Sequence, residues 1–471
     1  MSREGNLVKN TMILGLGSFF PRLTAFITLP ILTGYLTKAE YGTYDLITVL
    51  VSLILPAATL QIQSAAFRFL IDERGNEERK KSIISNIFAF IVPTSLLVLC
   101  VLYLFLPGDM MIRILICAYF FADILVNASR QVARGLHMNL RYSISAIISA
   151  TGKMVFAVIF VLYMKMGLMG AVLALMLSDL LSFIYMAAAL NLTHYIDLRL
   201  VNKKDLKALL SYSWPIVPNS LSMWVMRVSD RFVINVFMGA PAVAVYAVAN
   251  KIPSLLTLAQ STFTMAWYES ASIVSKEDDA TEYYSSMYRT IYDLMAGILG
   301  LLISFMPILF KLLIRGDYSE SYTQMPILFL AMFFYSLCAF LGGIYVAFKD
   351  TKSVGITTTC AAVCNLVVDL ATIRWIGLYA ASISTLVSYL FLYLFRMYDV
   401  RKFVKITYDY VHMAIVLVIM FVELFLCFLQ NRVLNIANMA LGVIAFVVLN
   451  REVSKALAAK TLQTLKKFTG R

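Results

Sequence analysis

The chain has 471 residues, of which 61% are hydrophobic and 14% charged, with a mean hydropathy of +0.80 and a formal net charge of +13. No soluble globular domain buries that share of apolar side chain, so the composition excludes a soluble fold and implies an all-α integral membrane protein.

Apolar runs of about 20 residues between charged or Gly/Pro breaks predict about 14 transmembrane helices. They lie near residues 10–33, 45–67, 83–106, 112–133, 143–165, 168–190, 212–238, 242–266, 286–310, 322–347, 354–374, 376–396, 409–429 and 432–450. With the N-terminus inside, 28 of the 40 Lys and Arg fall on the cytoplasmic side, seven fall outside and five lie within spans. This positive-inside bias puts both termini in the cytoplasm, with the cell (inner, cytoplasmic) membrane as the expected location. Topology and attraction to anionic lipid then account for the basic charge, and nucleic acid is not needed as a partner. The first apolar run is too long for a cleaved signal and has Pro21-Arg22 at its centre.

In that first span Pro21 and Pro30 flank the intramembrane Arg22, a pattern that permits a bend beside a cation. The turn TKAEYGTYD follows, with Gly42 as the break and Asp45 opening the next span; Asp123, Lys153 and Asp179 then fall mid-span in three later helices. Each could be half of an interhelical pair, and together they make the interior of the first half polar.

The sequence repeats itself. TKAEYGTY (37–44) aligns with GAPAVAVY (239–246) at an offset of 202, and GLMGAVLALMLSDLL (167–181) with GLYAASISTLVSYLF (377–391) at an offset of 210. Six spans separate the copies, so the halves share one orientation: two parallel six-helix bundles, an architecture of transporters. The expected domains are 1–196 and 197–408, two additional helices over 409–450, and a basic tail over 451–471 that reads as a membrane-surface helix. The polar connection 191–213 reads as a short amphipathic helix with Leu206, Leu209 and Leu210 on the surface.

The second half opens on Trp214–Tyr246, long enough to cross a bilayer yet carrying Arg227, Asp230 and Arg231. On a helix Ser220, Trp224, Arg227, Arg231 and Asn235 form one polar stripe. The stripe fits a structural ion pair, Asp230 answering Arg227, or a cationic wall that receives an anion; one Asp does not neutralise two Arg. Lys251 beside Pro253 is another intramembrane cation, and Glu277, Asp278 and Asp279 form an acidic solvated loop. The six Cys lie in spans as small apolar residues, and the three His stand apart from one another. No metal site, catalytic triad or phosphate-binding Gly-rich loop is present, and no cofactor is expected.

Several segments carry a family resemblance: Asn10-Thr11, Pro21-Arg22 and YLTKAEYGTYD at the start; LLSYSWPIVPNSLSMWVMRVSDRFVINVFMG (209–239); TFTMAWYESASI (262–273); RGDYSESYTQMPILFLA (315–331); and KDTKSVGITTTCAAVCNLVVD (349–369). Together they resemble the polysaccharide transporters (O-antigen and capsule repeat-unit flippases) of the multidrug/oligosaccharidyl-lipid/polysaccharide superfamily. The resemblance implies two bundles in a V around a central cavity, plus two C-terminal helices. It implies that the cargo is a polyprenyl-diphosphate-linked saccharide, with the bilayer, a polysaccharide polymerase and glycosyltransferases as partners. Arg22, Arg227, Arg231 and Lys251 match the cationic cavity, and Lys153 is added to it as a further intramembrane cation. Asp45, Asp123, Asp179 and Asp230 stand as coupling or charge-balancing acids. The competing expectations are a cation-coupled multidrug exporter, disfavoured by five intramembrane cations, and a membrane glycosyl polymerase, disfavoured by the short outward loops.

This topology predicts that reporters fused after Asn202, after Ala280 and at Arg471 register cytoplasmic and one after Gly239 registers outside. A cytoplasmic signal at Gly239 breaks the scheme.

Overall fold

A computed structural model describes residues 3–73, 75–275, 277 and 279–455, and every regular element among them is helical. The C-terminal part of the basic tail, from 456, and Asp278 of the acidic loop lie outside the described residues. Two compact units emerge, the first running to Ala244 and taking in Leu313–Gly316, the second comprising Val245–Leu312 and the chain from Asp317 onward.

The first unit contains α1 (Arg3–Tyr35), α2 (Lys38–Thr59), α3 (Ile62–Asp72), α4 (Glu77–Phe105), α5 (Met110–Gly135), α6 (Asn139–Ala157), α7 (Gly167–Leu190), α8 (Leu192–Tyr195), α9 (Lys203–Ser213) and α10 (Ile216–Met238). The chain then passes through α11 (Ala240–Lys251) to α12 (Leu256–Val274), α13 (Ala280–Ser304), α14 (Met306–Leu313), α15 (Ser319–Ala347), α16 (Thr351–Ile376), α17 (Tyr379–Asp399), α18 (Tyr410–Phe428) and α19 (Arg432–Leu449). Among the described residues ten helices are long and apolar enough to cross a membrane, or twelve if two bent pairs each count as one. The bends are 43° after Lys251, where Pro253 interrupts the ladder, and 62° between α13 and α14. Two further helices, α1 with 33 residues and α10 with 23, are also long enough to span, but the apolar run of α10 is broken by Arg227, Asp230 and Arg231. The chain is a multi-pass membrane protein.

Local chemistry explains where these helices begin. Thr37 and Glu40 form a reciprocal capping box at the start of α2, the Glu40 N–H donating to Thr37 Oγ1 at 3.2 Å and the Thr37 N–H to Glu40 Oε2 at 2.9 Å. The other carboxylate oxygen, Oε1, accepts the Leu168 N–H at 3.1 Å, so one acid caps two helices. Gly167 has φ +58° and lies against that carboxylate, leaving no room for a Cβ. Gly42 packs on the Ala240 carbonyl with the same absence of space, so the two copies of the repeated turn touch through backbone.

The internal repeat reappears as geometry within each unit. In the first, α7 packs on α5 and α6; in the second, α17 packs on α15 and α16. Gly377, like Gly167, has positive φ, +56°. The turns that close α5 and α15 are also alike: His137 and Lys349 both have φ 60°, and the next N–H reaches back to a helical carbonyl, Met138 to Ala133 at 2.8 Å and Asp350 to Tyr345 at 2.9 Å.

The polar connection that precedes α10 is fixed to the first unit. Asp205 Oδ2 accepts from Arg79 Nη1 at 2.7 Å, Ser82 Oγ at 2.7 Å and Asn202 Nδ2 at 2.9 Å. Upstream, the Asp197 N–H donates to Ser85 Oγ at 2.8 Å and the Asn202 N–H to Asn86 Oδ1 at 3.1 Å. These donors turn α9 so that Asp205, Leu209 and Ser213 are buried, and Leu209 is therefore a core residue where the sequence put it on the surface. Burial alone would raise the Asp205 pKa, but the hydrogen bonds from Asn202, Ser82 and Arg79 outweigh it and hold the carboxyl below its ordinary value.

In the second unit Trp267 stacks on Phe340 with centroids 4.3 Å apart and donates its Nε1–H to the Phe340 carbonyl at 2.8 Å. Gly343 supplies the space the indole occupies. The two last helices pack against α13, where the buried Glu423 carboxyl lies beside Gly300 and Asn438 Nδ2 donates to the Glu423 carbonyl at 2.9 Å.

Asp205→Ala removes the acceptor shared by Arg79, Ser82 and Asn202 and should lower the stability of the purified protein by about 1–2 kcal/mol, read as a drop in thermal midpoint. Because the folded pKa is depressed, this stabilisation is complete above the unfolded carboxylate pKa of about 4 and is lost as pH falls through the lower folded value. The gap between parent and Asp205→Asn should thus be constant from pH 6 to 8 and close only on acidification below about pH 4.

Candidate functional site

The polar stripe of α10 is satisfied along its length by α2 and the turn after it. Ser220 Oγ accepts from Gln61 Nε2 at 3.2 Å, Trp224 donates its Nε1–H to the Val49 carbonyl at 3.4 Å, and Arg231 Nε donates to Asp45 Oδ2 at 2.5 Å. Arg231 also donates from Nη1 to the Arg227 carbonyl at 3.3 Å. The Arg231 and Asp45 side chains are 13% and 5% exposed, a nearly dry pair between two membrane-length helices. Arg227 is exposed, and Asp230, next to Arg231 in sequence, is buried. The carboxylate that answers Arg231 comes from another helix.

A second cluster joins α5, α6 and α7. Lys153 Nζ lies 3.1 Å from Asp179 Oδ1, which also accepts from Ser149 Oγ at 2.6 Å. The lysine side chain is 34% exposed and the aspartate 1%, so the acid is the buried partner. Asp123 accepts from Asn127 Nδ2 at 2.9 Å and lies within electrostatic reach of Asp179, Lys153 and Arg130. Arg130, counted with the loop cations in the sequence, is a network residue: Nε donates to Ser145 Oγ at 3.0 Å and Nη2 to Ser182 Oγ at 3.2 Å. Tyr44 is within electrostatic reach of both Asp45 and Asp179.

Arg22 is exposed on α1, which continues through Pro21 and Pro30 as one helix. Lys251 belongs to the second unit, at the 43° break, where its carbonyl accepts from Ser254 Oγ at 2.7 Å. The second unit has a buried cation of its own that sequence reasoning assigned to a cytoplasmic edge. Arg396, 6% exposed, donates Nη1 to the Cys338 carbonyl at 2.7 Å, Nε to Thr357 Oγ1 at 3.2 Å and Nη2 to Thr358 Oγ1 at 3.0 Å. Gly342 leaves the space for its Nη1. A cavity of about 870 Å³ opens between α13 and the start of α18, with His412 in its wall and His412 Nε2 2.6 Å from Asp293 Oδ1. Among the described residues no group of His, Cys, Asp and Glu is arranged to hold a metal ion.

Comparison with known proteins gives the fold and the family. The chain superposes on a solved structure titled lipid II flippase MurJ, inward closed conformation, with a TM-score of 0.70 at 14% identity, covering 95% of this chain and 100% of that one. An inward-facing multidrug resistance MATE family transporter of the MOP superfamily gives a TM-score of 0.62 at 14% identity, covering 81% of this chain and 98% of that one. An outward-facing structure titled as a MATE family transporter of the same superfamily gives 0.57 at 16% identity, covering 84% and 95%. These likenesses establish a shared fold. No curated protein sequence matches the chain. Residues 7–268 match the family described as polysaccharide biosynthesis protein, more than half of the chain, and the chain belongs to that family.

Proposed function

We propose that the chain is a flippase that carries polyprenyl-diphosphate-linked oligosaccharide repeat units from the cytoplasmic to the outer leaflet for surface polysaccharide assembly, and that it is not an enzyme. The observation that carries this reading is Arg231, a guanidinium held in a membrane-length helix by the Asp45 carboxylate at 2.5 Å. A diphosphate bears roughly two negative charges and does not cross hydrocarbon unaided, so its carrier must supply desolvated cations. An Arg fork binds phosphate and carboxylate oxygens by the same bidentate geometry. Asp45 is then an exchangeable counter-ion that keeps Arg231 neutralised until phosphate oxygens replace it. Arg227, on the same helix, and Arg22 and Lys251 are further donors in this reading; Asp123 and Asp230 balance charge.

The Lys153–Asp179 pair supports a coupling role in the same cycle. Asp179 is buried and Lys153 half-exposed, so protonation of the acid or departure of the lysine changes the charge of the first unit's interior. A multidrug exporter with this fold would have cationic cargo, which Arg231 and Arg227 repel. In this reading the protein works in the cytoplasmic membrane with both termini inside, next to the glycosyltransferases that make its cargo and the polymerase that consumes it.

Arg231→Ala removes the guanidinium 2.5 Å from the buried Asp45 and should lower membrane abundance; adding Asp45→Asn should restore abundance. The deciding measurement is surface polysaccharide at matched abundance in a strain that depends on this gene. A binding role predicts that export in the double variant stays down at least tenfold and that Arg231→Lys recovers it only in part. Full export in the double variant reduces the pair to a structural one and removes the basis of the proposal.

The second pair predicts an asymmetry. Lys153→Ala removes the cation 3.1 Å from the buried Asp179, and Asp179→Asn removes the acid from a lysine in mid-span; both should lower the thermal midpoint, the first more, because the acid is the more deeply buried partner. Equal destabilisation by the two substitutions contradicts the burial difference.

A further inference from the structure

The helix that precedes α10 presents three rows at spacings of four. Asp205, Leu209 and Ser213 are buried in the first unit. The second row, Lys203, Lys207 and Ser211, and the third, Leu206, Leu210 and Trp214, together with Leu60, line a cavity of about 600 Å³. That volume lies in the range of small-molecule sites, roughly 300–1,000 Å³. Its lining is almost wholly apolar, from Leu60, Leu206, Leu210 and Trp214 and the stems of Lys203 and Lys207; both lysines are exposed, and among the described residues no carboxylate lines it. The one acid on α9, Asp205, is already held by Arg79, Ser82 and Asn202.

The opposite wall is unusual backbone. Leu60 and Gln61, between α2 and α3, have φ 46° and 58°, two successive non-glycine residues in the left-handed region. Gln61 is held there by its N–H on Thr59 Oγ1 at 3.2 Å and by its side chain, which accepts from Ser64 Oγ at 3.2 Å. The turn ends α2 and exposes Leu60 to the cavity. Strained backbone of this kind persists where the surroundings determine it and concentrates at binding sites.

We infer that this cavity binds one anionic phospholipid of the cytoplasmic leaflet, its phosphate between Lys203 and Lys207 and the start of its acyl chain over Leu206, Leu210, Trp214 and Leu60. Charge complementarity selects the anion: two exposed lysines face no acid. The flanking aromatics, Trp214 at 58% and Tyr212 at 43% exposure, are the residue types that settle at the headgroup level. The site is separate from the Arg231–Asp45 pair, and its function is to anchor the arm between α8 and α10 to the membrane surface.

The test uses the full-length protein in phosphatidylcholine vesicles doped with brominated phosphatidylglycerol or brominated phosphatidylcholine, bromine being a contact quencher of indole fluorescence. The Trp214 signal is the difference between parent and Trp214→Phe. It should be quenched at about fivefold lower mole fraction of the brominated phosphatidylglycerol. Lys203→Gln with Lys207→Gln should abolish that preference, while Lys204→Gln, which removes the same kind of charge one residue from the cavity, should leave it within twofold. Three results overturn the inference: equal quenching by the two lipids; a Lys204→Gln effect as large as that of Lys203→Gln, which means diffuse surface charge only; or relief of quenching by an isoprenyl phosphate at lower mole fraction than unbrominated phosphatidylglycerol, which reassigns the cavity to the cargo.

Discussion

A charged side chain in hydrocarbon costs several kcal/mol unless it meets an opposite charge or a dense set of hydrogen bonds. That constraint organises the first unit. Asp45 and Arg231 are 186 positions apart in sequence and 2.5 Å apart in space, and neither helix tolerates the bilayer as well alone as with the other. Around them the packing follows: Trp224 on the Val49 carbonyl and Ser220 with Gln61 repeat the α2–α10 contact along the helix length. Although α10 opens the second copy of the sequence repeat, its polar face belongs to the first unit.

The arm leading into α10 obeys the same economy by a different device. Asp205 is an acid at the water edge, and it is held by neutral and cationic donors from α4 and its own N-cap. Fixing α9 in this way fixes the point at which α10 begins, and with it the height at which Arg231 meets Asp45. The connection is therefore a strut.

Much of this was legible in the residues. The Ser220–Trp224–Arg231 stripe follows from helical spacing alone, and so does the expectation that it faces something polar. The paired turns at Gly167 and Gly377 follow from an offset of 210 in the sequence and share a left-handed glycine. The pairing of Asp45 with Arg231 was not legible: both were candidates, but a contact between residues 186 positions apart depends on helix packing that no local spacing encodes. Arg130 and Arg396 were hidden for another reason. Both lie near span ends, where an arginine reads as a solvated loop cation, and only the serines and threonines of neighbouring helices bring them inside. Leu209 was misplaced because three leucines in five residues leave the buried face ambiguous until Asp205 decides it.

The long separation between Asp45 and Arg231 has a consequence for biogenesis. At roughly 5–20 residues per second, a ribosome takes about 10–40 s to travel from one to the other. For that interval α2 is already made and Arg231 is not. The nascent chain can shelter Asp45 meanwhile by keeping α2 near the aqueous path of the insertion machinery. The first unit thus closes late, when α10 arrives, and release of the early helices into lipid is timed by a residue near the middle of the chain.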